Sequence, residues 1–176
     1  MRIEPWHEAL APRSRELVAA IEARRGGELL NLDRMLLWSE PLARAWNTYL
    51  GAVRTQLALS PFLRELAICV VARLTGAQYE YHHHAPELAK AGATPEQLAV
   101  LDDPDVAAAS LLYDDLQRAV IRFAIASTRD VKIPDAVFDE LKRRLPQQEL
   151  VELVATTATY NMVARFLVAL QITPES

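Results

Sequence analysis

The residues best suited to chemistry lie between Glu65 and His84, where two carboxylates and several imidazoles adjoin an apolar segment. Glu65 stands within the apolar sequence ELAICVV, and Glu80 precedes three consecutive histidines by one residue. An ionisable side chain is costly to bury unless it is paired with another group or used in a reaction. A Glu–His pair in an apolar pocket can hold a proton near neutral pH, which acid–base catalysis requires.

Two predicted helices decide which of these side chains meet. Ser60-Pro61 indicates the start of a mostly apolar helix over 61–74, which Gly76 ends, and a second helix is predicted over 78–91. The short connection folds the second helix back on the first. Glu65 lies ten residues before this turn and His84 eight after it, so we expect the two at similar depth.

The three histidines cannot all serve one site. His82, His83 and His84 are consecutive, so they point about 100° apart around a helix, and one should face the interior while another faces solvent or a neighbouring chain. Glu80 and His84 are four residues apart and share a helix face.

Less specific interpretations of these residues stay open. Glu65 could instead form an ordinary surface ion pair with Arg64 or Arg73. Glu80-x-x-His83 has the spacing of half of a di-iron carboxylate motif, which needs two such pairs from two helices, and we expect neither a di-iron centre nor a zinc site.

Length and composition predict one soluble domain, or two small halves sharing one core, in 176 residues with 51% hydrophobic and 24% charged residues. A net charge of −4 with scattered Lys and Arg argues against nucleic-acid binding. The N-terminal sequence has no apolar core typical of a signal peptide, and no uninterrupted apolar run is long enough to span a bilayer, so we expect a cytoplasmic protein. Cys69 is the single cysteine, which leaves no Cys-x-x-Cys pair and predicts a small buried hydrophobe.

Helical spacing of apolar residues and only five glycines predict an all-α fold of seven or eight helices, without strands. After an irregular arm over 1–11, the main helix signals cover 12–25, 41–59, 61–74, 78–91, 106–127, 133–146 and 147–170, with weaker signals for short pieces at 32–38 and after Thr94. For the last helix the expected core stripe is Leu150, Leu153, Val154, Met162, Phe166 and Leu170.

The stretch RELAICVVARLTGAQYEYHHHAPELAKAGATPEQLAVL resembles the carboxymuconolactone decarboxylase superfamily, which includes the AhpD-like alkylhydroperoxidases. The likeness is best over residues 45–128 and rests on Arg64-Glu65-Leu66, Leu74-Thr75-Gly76, His84 and Lys90-Ala91-Gly92. It implies an AhpD-like helical fold, one carboxymuconolactone decarboxylase-like domain over 1–176 with an N-terminal extension over 1–40, and a homo-oligomer (dimer, trimer or hexamer). Trp6, Trp38 and Trp46, interpreted as lying on amphipathic helices with surplus apolar surface, point weakly to the same assembly.

The peroxidase branch of that superfamily has a Glu, a Cys-x-x-Cys and a His, and on this chain Glu65 and His84 take the outer positions. The two cysteine positions fall on Ala77 and Glu80. A peroxidase of this kind needs a nucleophilic and a resolving thiol, so we predict no dithiol peroxidase activity despite the peroxiredoxin label that the family carries. The chain resembles the cysteine-free branch, which includes decarboxylases acting on a carboxylated lactone.

The sequence and the resemblance together predict a lyase-type enzyme acting on a small organic acid or lactone, without cofactor or metal. Its predicted catalytic residues are Glu65, Glu80 and His84, and its predicted substrate-binding residues are Tyr79, His83 and Asn161. Asn161 could equally belong to a polar network that fixes helix packing. Arg73 and Arg165 are candidates to bind an anionic substrate. We expect no nucleic-acid or membrane partner.

The alternatives are an AhpD-family peroxidase or antioxidant-type oxidoreductase, a redox role that uses Cys69 with an external thiol, and a non-catalytic oligomer that binds a small molecule.

Overall fold

A computed structural model describes residues 1–175, and every regular element in this range is an α-helix. The all-α prediction is confirmed, with ten helices rather than seven or eight. They are α1 (Arg15–Arg25), α2 (Asn31–Leu36), α3 (Glu40–Thr55), α4 (Pro61–Thr75), α5 (Gln78–Lys90), α6 (Pro95–Val100), α7 (Pro104–Ala107), α8 (Asp115–Arg129), α9 (Asp135–Arg144) and α10 (Gln147–Leu170).

The chain divides into two compact units, of which the first comprises Met1–Leu57 and the chain from Leu170 onward. It contains α1 to α3, and residues 1–14 precede the first helix, as the predicted irregular arm requires. Asp33 is buried and accepts hydrogen bonds from Arg25 at 2.8 and 2.9 Å. Trp6 and Trp46 are buried too, so these two tryptophans supply none of the exposed apolar surface that the sequence had suggested.

The second unit, Ala58–Ala169, contains α4 to α9 and nearly all of α10. Its centre is α4, where the six residues from Leu66 to Val71 have no exposed surface. A helix that is apolar on all sides is stable only inside a core, so the composition of α4 fixes its central position.

Capping residues set the bounds of α4. The Ser60 hydroxyl accepts a hydrogen bond from the backbone N–H of Leu63 at 3.3 Å, and Pro61 occupies the first helical position. At the other end Gly76 adopts φ = 68°, a left-handed conformation that glycine tolerates best. The chain then reverses into α5, which makes extensive contact with α4.

The predicted helix over 106–127 is wrong in its first part, because the chain turns between α7 and α8, whereas residues 115–127 are helical within α8. Asp114 caps α8: its carboxylate accepts from the N–H of Gln117 at 2.8 Å, and the Gln117 side chain accepts from the N–H of Asp114 at 3.0 Å. The hydroxyl of buried Tyr113 donates to the Gln97 carbonyl at 2.7 Å and holds the turn against α6.

The final helix, α10, runs broadly in the direction of α4. Near their starts the N–H of Leu59 donates to the Glu152 carboxylate at 2.7 Å, and farther along Tyr160 packs against α5. The expected core stripe is partly wrong, since Leu150 and Leu153 are buried whereas Val154 and Met162 are exposed. Because α10 is apolar on most sides, its sequence did not indicate which face turns inward.

In the described residues α10 is also the one helix whose length and composition would allow it to cross a membrane. Half of its most apolar window is buried inside the protein, as expected of a core helix, so the helix is weak evidence for a membrane span.

Candidate active site

A buried carboxylate–imidazole pair joins α4 to α5. Glu65 Oε2 lies 2.6 Å from His84 Nδ1, and the two residues are 2% and 5% exposed. The antiparallel helices place the two at the same depth, as their distances from the turn predict. A short hydrogen bond between imidazole and carboxylate fixes the ring orientation and stabilises the imidazolium form when the ring takes up a proton.

Arg64 is a second hydrogen-bond partner of the Glu65 carboxylate. Its Nε donates to Glu65 Oε1 at 3.1 Å, so the two carboxylate oxygens face different partners. An ordinary surface ion pair between Glu65 and Arg64 was one interpretation of the sequence. The ion pair is present, but the Glu65 carboxylate is buried rather than on an exposed face. Removing one member of a buried charge pair leaves an uncompensated charge, so Arg64 also helps to keep Glu65 inside the protein.

Tyr160 forms an aromatic wall beside His84. The two ring centroids are 4.8 Å apart and nearly perpendicular, and Tyr160 is 2% exposed. Tyr160 interrupts the apolar run of α10 next to Asn161, and from the sequence this interruption makes both residues candidates to line a pocket or to form a polar network between helices. The structure adds that the Tyr160 ring contacts His84.

Glu80 differs from Glu65 in having no partner. It is 1% exposed, and neither carboxyl oxygen makes a hydrogen bond in the described part of the protein. Burial raises the pKa of Glu80 well above its usual value of 4.5, because the charged form loses its hydration. Glu80 lies one helical turn from His84 on α5 but makes no hydrogen bond to Glu65 or His84. Of the three predicted catalytic side chains, the structure therefore joins Glu65 to His84 by a hydrogen bond and leaves Glu80 outside this contact.

The thiol of Cys69 lies in the field of both carboxylates. Burial raises its pKa far above the ordinary range, the nearby carboxyl groups of Glu65 and Glu80 raise it further, and Arg73 lowers it. The side chain has no exposed surface. Cys69 is therefore held as an inaccessible thiol rather than a reactive thiolate.

The predicted substrate-binding residues on α5 pack on each other. The rings of Tyr79 and His83 have centroids 4.5 Å apart, with Tyr79 buried and His83 half-buried. His82 is exposed and makes an edge contact with His83 at 5.2 Å. The three histidines thus diverge as their spacing predicts, with His84 directed inward.

Asn161 forms a polar network between α8 and α10. Its side-chain amide donates to the Thr128 hydroxyl and to the Thr157 carbonyl, both at 3.0 Å, and its side-chain oxygen accepts from Arg165 at 3.1 Å. These contacts are the ones expected if Asn161 belongs to a polar network that fixes helix packing, the alternative that the sequence left open. Substrate binding by Asn161 stays a prediction.

The arginines considered for an anionic substrate are both engaged. The Arg73 guanidinium lies 3.4 Å from the centroid of the Tyr81 ring and pairs with Asp102, which links α4, α5 and the start of α7. Arg165 also donates to the Asn161 carbonyl at 2.9 Å. Both therefore have structural partners in this unit.

A polar pocket lies beside Glu65, on one side of the buried pair. It has a volume of about 400 Å³ and lies between the start of α4 and the end of α5, with Arg64 and Glu65 in its wall. Glu87 and Lys90, paired at 2.7 Å, also line it. The pocket gives solvent and small molecules a route to the outer side of the Glu65 carboxylate.

A metal centre has no obvious ligand set in the part of the chain that the structure describes, because no three His, Cys, Asp or Glu side chains there are grouped to hold an ion. A second Glu-x-x-His spacing does occur, at Glu4 and His7, but it lies in the irregular N-terminal arm outside any helix.

The comparisons with known proteins agree with this description. Residues 40–112 match the model of the carboxymuconolactone decarboxylase family, a range that overlaps most of residues 45–128, where the sequence resemblance is best. A search of curated proteins finds none whose sequence matches.

Solved structures share the fold at low sequence identity. An uncharacterized peroxidase-related protein from Ralstonia eutropha JMP134, described as an alkylhydroperoxidase AhpD core, has a TM-score of 0.81 and 18% identity, covering 99% of this chain and 92% of that one. A peroxidase-related protein from Silicibacter sp. TM1040 has a TM-score of 0.78 and 17% identity, with 100% and 90% coverage. The debrominase Bmp8 in complex with 2,3,4-tribromopyrrole has a TM-score of 0.78 and 19% identity, with 98% and 90% coverage. At these identities the likeness shows the fold alone.

Taken with the helical architecture and the single cysteine, the match places a carboxymuconolactone decarboxylase-like region at residues 40–112 of a chain that has an AhpD-like fold and no Cys-x-x-Cys pair.

Proposed function

We propose that the chain is a carboxymuconolactone decarboxylase-like lyase that performs cofactor-free acid–base chemistry on a small organic acid or lactone. The observation that carries this proposal is the buried contact of 2.6 Å between Glu65 and His84, of which Glu65 also lines a polar pocket. Imidazole backed by a carboxylate is the most common arrangement for moving a proton at neutral pH.

In the proposed reaction Glu65 holds His84 through Nδ1, so proton exchange with the substrate runs through Nε2. Loss of CO₂ breaks a carbon–carbon bond and leaves its electron pair as an enolate. The His84 imidazolium then protonates the carbon, and Glu65 stabilises the imidazolium beforehand. Solvent in the pocket beside Arg64 and Glu65 returns the proton to the pair after each turnover.

Glu80 serves as a second acid in this scheme. Burial raises the pKa of the Glu80 carboxyl group well above its usual value, whereas the Glu65 carboxylate is hydrogen-bonded to Arg64 and His84, so two carboxyl groups in one region have different surroundings. Such a division between neighbouring carboxyl groups is how an enzyme assigns acid and base roles at one pH.

A thiol-dependent reaction has less support. Peroxide reduction by the family's dithiol route, or a redox reaction that uses Cys69 with an external thiol, needs an accessible thiolate, and Cys69 is buried with a strongly raised pKa. Retained activity in Cys69→Ser is the expected result, and its loss would favour the thiol route.

We also propose that the protein is a cytoplasmic homo-oligomer. Support for assembly comes from α10, where Val151 and Met162 are 61% and 42% exposed and lie three helical turns apart on one face. Beside this face is an apolar groove of about 820 Å³ between α9 and α10. Analytical ultracentrifugation of the wild type and Val151→Glu tests this: the variant should dissociate, and an unchanged mass would exclude this face.

The test of the reaction is a screen for CO₂ release. Purified protein is incubated with carboxylated lactones and small keto acids, and the best substrate is then used with His84→Gln and with His82→Gln, the matched exposed histidine. Removing the acid–base group should lower kcat by about 100- to 10,000-fold. Equal activity of His84→Gln and wild type would refute the role of the pair.

A further inference from the structure

Arg64 has more hydrogen-bond donors than its ion pair uses. A guanidinium carries its N–H donors in one planar fork, and of these Nε is committed to Glu65 Oε1 at 3.1 Å. The two terminal NH₂ groups make no hydrogen bond to any other part of residues 1–175. The side chain is nevertheless only 14% exposed. A charged group so far from bulk water usually has its donors matched by acceptors, so the terminal end of the fork needs a partner.

Arg64 is in the wall of the pocket of about 400 Å³ between the start of α4 and the end of α5. This volume is within the usual range for sites that bind small molecules. All of the lining residues belong to the second compact unit, so the pocket is formed within one folded body.

The charged residues of this wall are two acids and two bases, and the acids already have partners. Glu65 places one oxygen on Arg64 Nε and the other on His84 Nδ1. Glu87 pairs with Lys90 at 2.7 Å, an exposed contact on one helix that costs little to rearrange. The wall therefore has a surplus of donors, on Arg64 and on the ammonium group of Lys90. A ligand that supplies acceptor oxygens, and with them negative charge, matches this surplus.

The form of the donor set and the rest of the wall narrow the class of anion. A guanidinium fork binds a carboxylate through two parallel hydrogen bonds, which an ammonium group cannot do. Pro61, Phe62 and Ala91 add an apolar part to the wall, which favours a ligand with a compact apolar body. We propose that the pocket binds a small carboxylate bearing an aromatic or similar apolar group, held by the terminal NH₂ groups of Arg64. Binding here does not depend on the proposed decarboxylation, because His84 is not part of the pocket wall.

A carboxylate bound in this pocket is coupled to the buried pair through Arg64. The guanidinium then serves two anions, the ligand through its terminal NH₂ groups and Glu65 through Nε. Because a nearby negative charge favours the charged form of an imidazole, occupancy of the pocket favours protonation of His84. The ligand thus influences His84 without touching it.

The first test is calorimetric titration of the native protein with benzoate near neutral pH. Benzamide serves as the uncharged analogue, and sulfate serves as the anion without an apolar body. Benzoate should saturate with a Kd of about 1 mM or lower, and the other two compounds should bind about 10-fold more weakly or worse. No saturation by benzoate up to about 20 mM, or equal binding of benzamide or sulfate, overturns the proposal.

Arg64→Lys tests the fork itself. Lysine keeps the positive charge but loses the parallel pair of hydrogen bonds, so benzoate should bind about 10-fold more weakly than to wild type. The matched control is Arg143→Lys, at an exposed position on α9, which should bind benzoate as wild type does. Equal affinity in Arg64→Lys and wild type refutes the role of Arg64.

A pocket-filling variant keeps the test decisive if Arg64→Lys fails to fold. Ala91→Phe occupies the pocket while leaving Arg64 and Glu65 in place, so it should abolish benzoate binding. Ala89→Phe makes the same change at an exposed position outside the pocket wall and should bind normally. Wild-type affinity in Ala91→Phe would mean that benzoate binds elsewhere, and the proposal would be wrong.

NMR of histidine side chains tests the coupling. Saturating benzoate should shift the imidazole ¹⁵N resonances of His84, assigned by their loss in His84→Gln, and leave those of exposed His82 unchanged. Unchanged His84 resonances at saturation would contradict binding beside Glu65. The proposed reaction fails separately, since a lack of CO₂ release from every compound tested would refute the lyase and leave the benzoate results standing.

Discussion

Replacing Glu80 by glutamine should stabilise the protein, by an amount that grows as the pH rises. The folded state holds the Glu80 proton, because burial raises the pKa of this group well above 4.5, whereas the unfolded chain releases it near that value. Between these two pKa values unfolding releases one proton, so the free energy of unfolding of wild type falls with increasing pH. Glutamine cannot ionise and escapes this loss.

The magnitude follows from proton linkage. One proton difference changes the free energy of unfolding by about 1.4 kcal/mol per pH unit. For a domain of this size 1 kcal/mol corresponds to roughly 2–4 °C in Tm. The Tm of Glu80→Gln minus that of wild type should therefore rise by about 3–6 °C per pH unit above pH 4.5, until the folded protein itself loses the proton.

The assay is thermal unfolding by circular dichroism from pH 5 to pH 8 at constant ionic strength. The matched control is Glu28→Gln, which makes the same chemical change at an exposed position. Titration of the Glu65–His84 pair is common to all three proteins and cancels from the difference. Parallel pH profiles for wild type and Glu80→Gln would show that Glu80 is already ionised in the folded protein, and the account of this residue would fail.

Three other outcomes follow from the same structure. Cys69 should not react with a thiol reagent such as DTNB in the native protein and should react fully after denaturation, since it is buried with a raised pKa; rapid native reaction would contradict this. Asn161→Ala should lower the free energy of unfolding by about 1–3 kcal/mol in urea titrations while leaving KM unchanged, because its contacts are structural; a raised KM with unchanged stability would restore it as a substrate ligand. Gly76→Ala should cost roughly 1–2 kcal/mol from its left-handed conformation alone, since an added Cβ has no neighbour within 4 Å; a neutral effect would contradict the geometry of the turn.

The central hairpin could be predicted because its signals are local. Ser60-Pro61 and Gly76 set the bounds of α4 to within a residue, and the short turn then fixed the depth of Glu65 and His84. The break between α7 and α8 was missed because Leu111 looks in the sequence like part of an apolar helix face. In the structure Leu111 is 92% exposed in a turn, and Asp114 at the end of this turn caps α8.

Other features of the site depend on packing between distant segments. Tyr160 reaches His84 only because α10 lies beside α5, which no local pattern encodes. Glu80 has no hydrogen-bond partner among the described residues. Its spacing along α5 had instead predicted that it would share a site with His84. Arg64 was visible in the sequence beside Glu65, but its role required knowing that the carboxylate is buried.

The central claim is that His84, held by Glu65, delivers a proton to substrate carbon. The most direct measurement is decarboxylation in D₂O, with the deuterium of the product located by NMR. The account predicts one solvent deuterium at the carbon that carried the carboxylate, on a single face, because a fixed imidazole donates from one side. Deuterium distributed equally over both faces of a prochiral product would mean that the enolate leaves the site and is protonated by water, and the proposed role of the pair would be wrong.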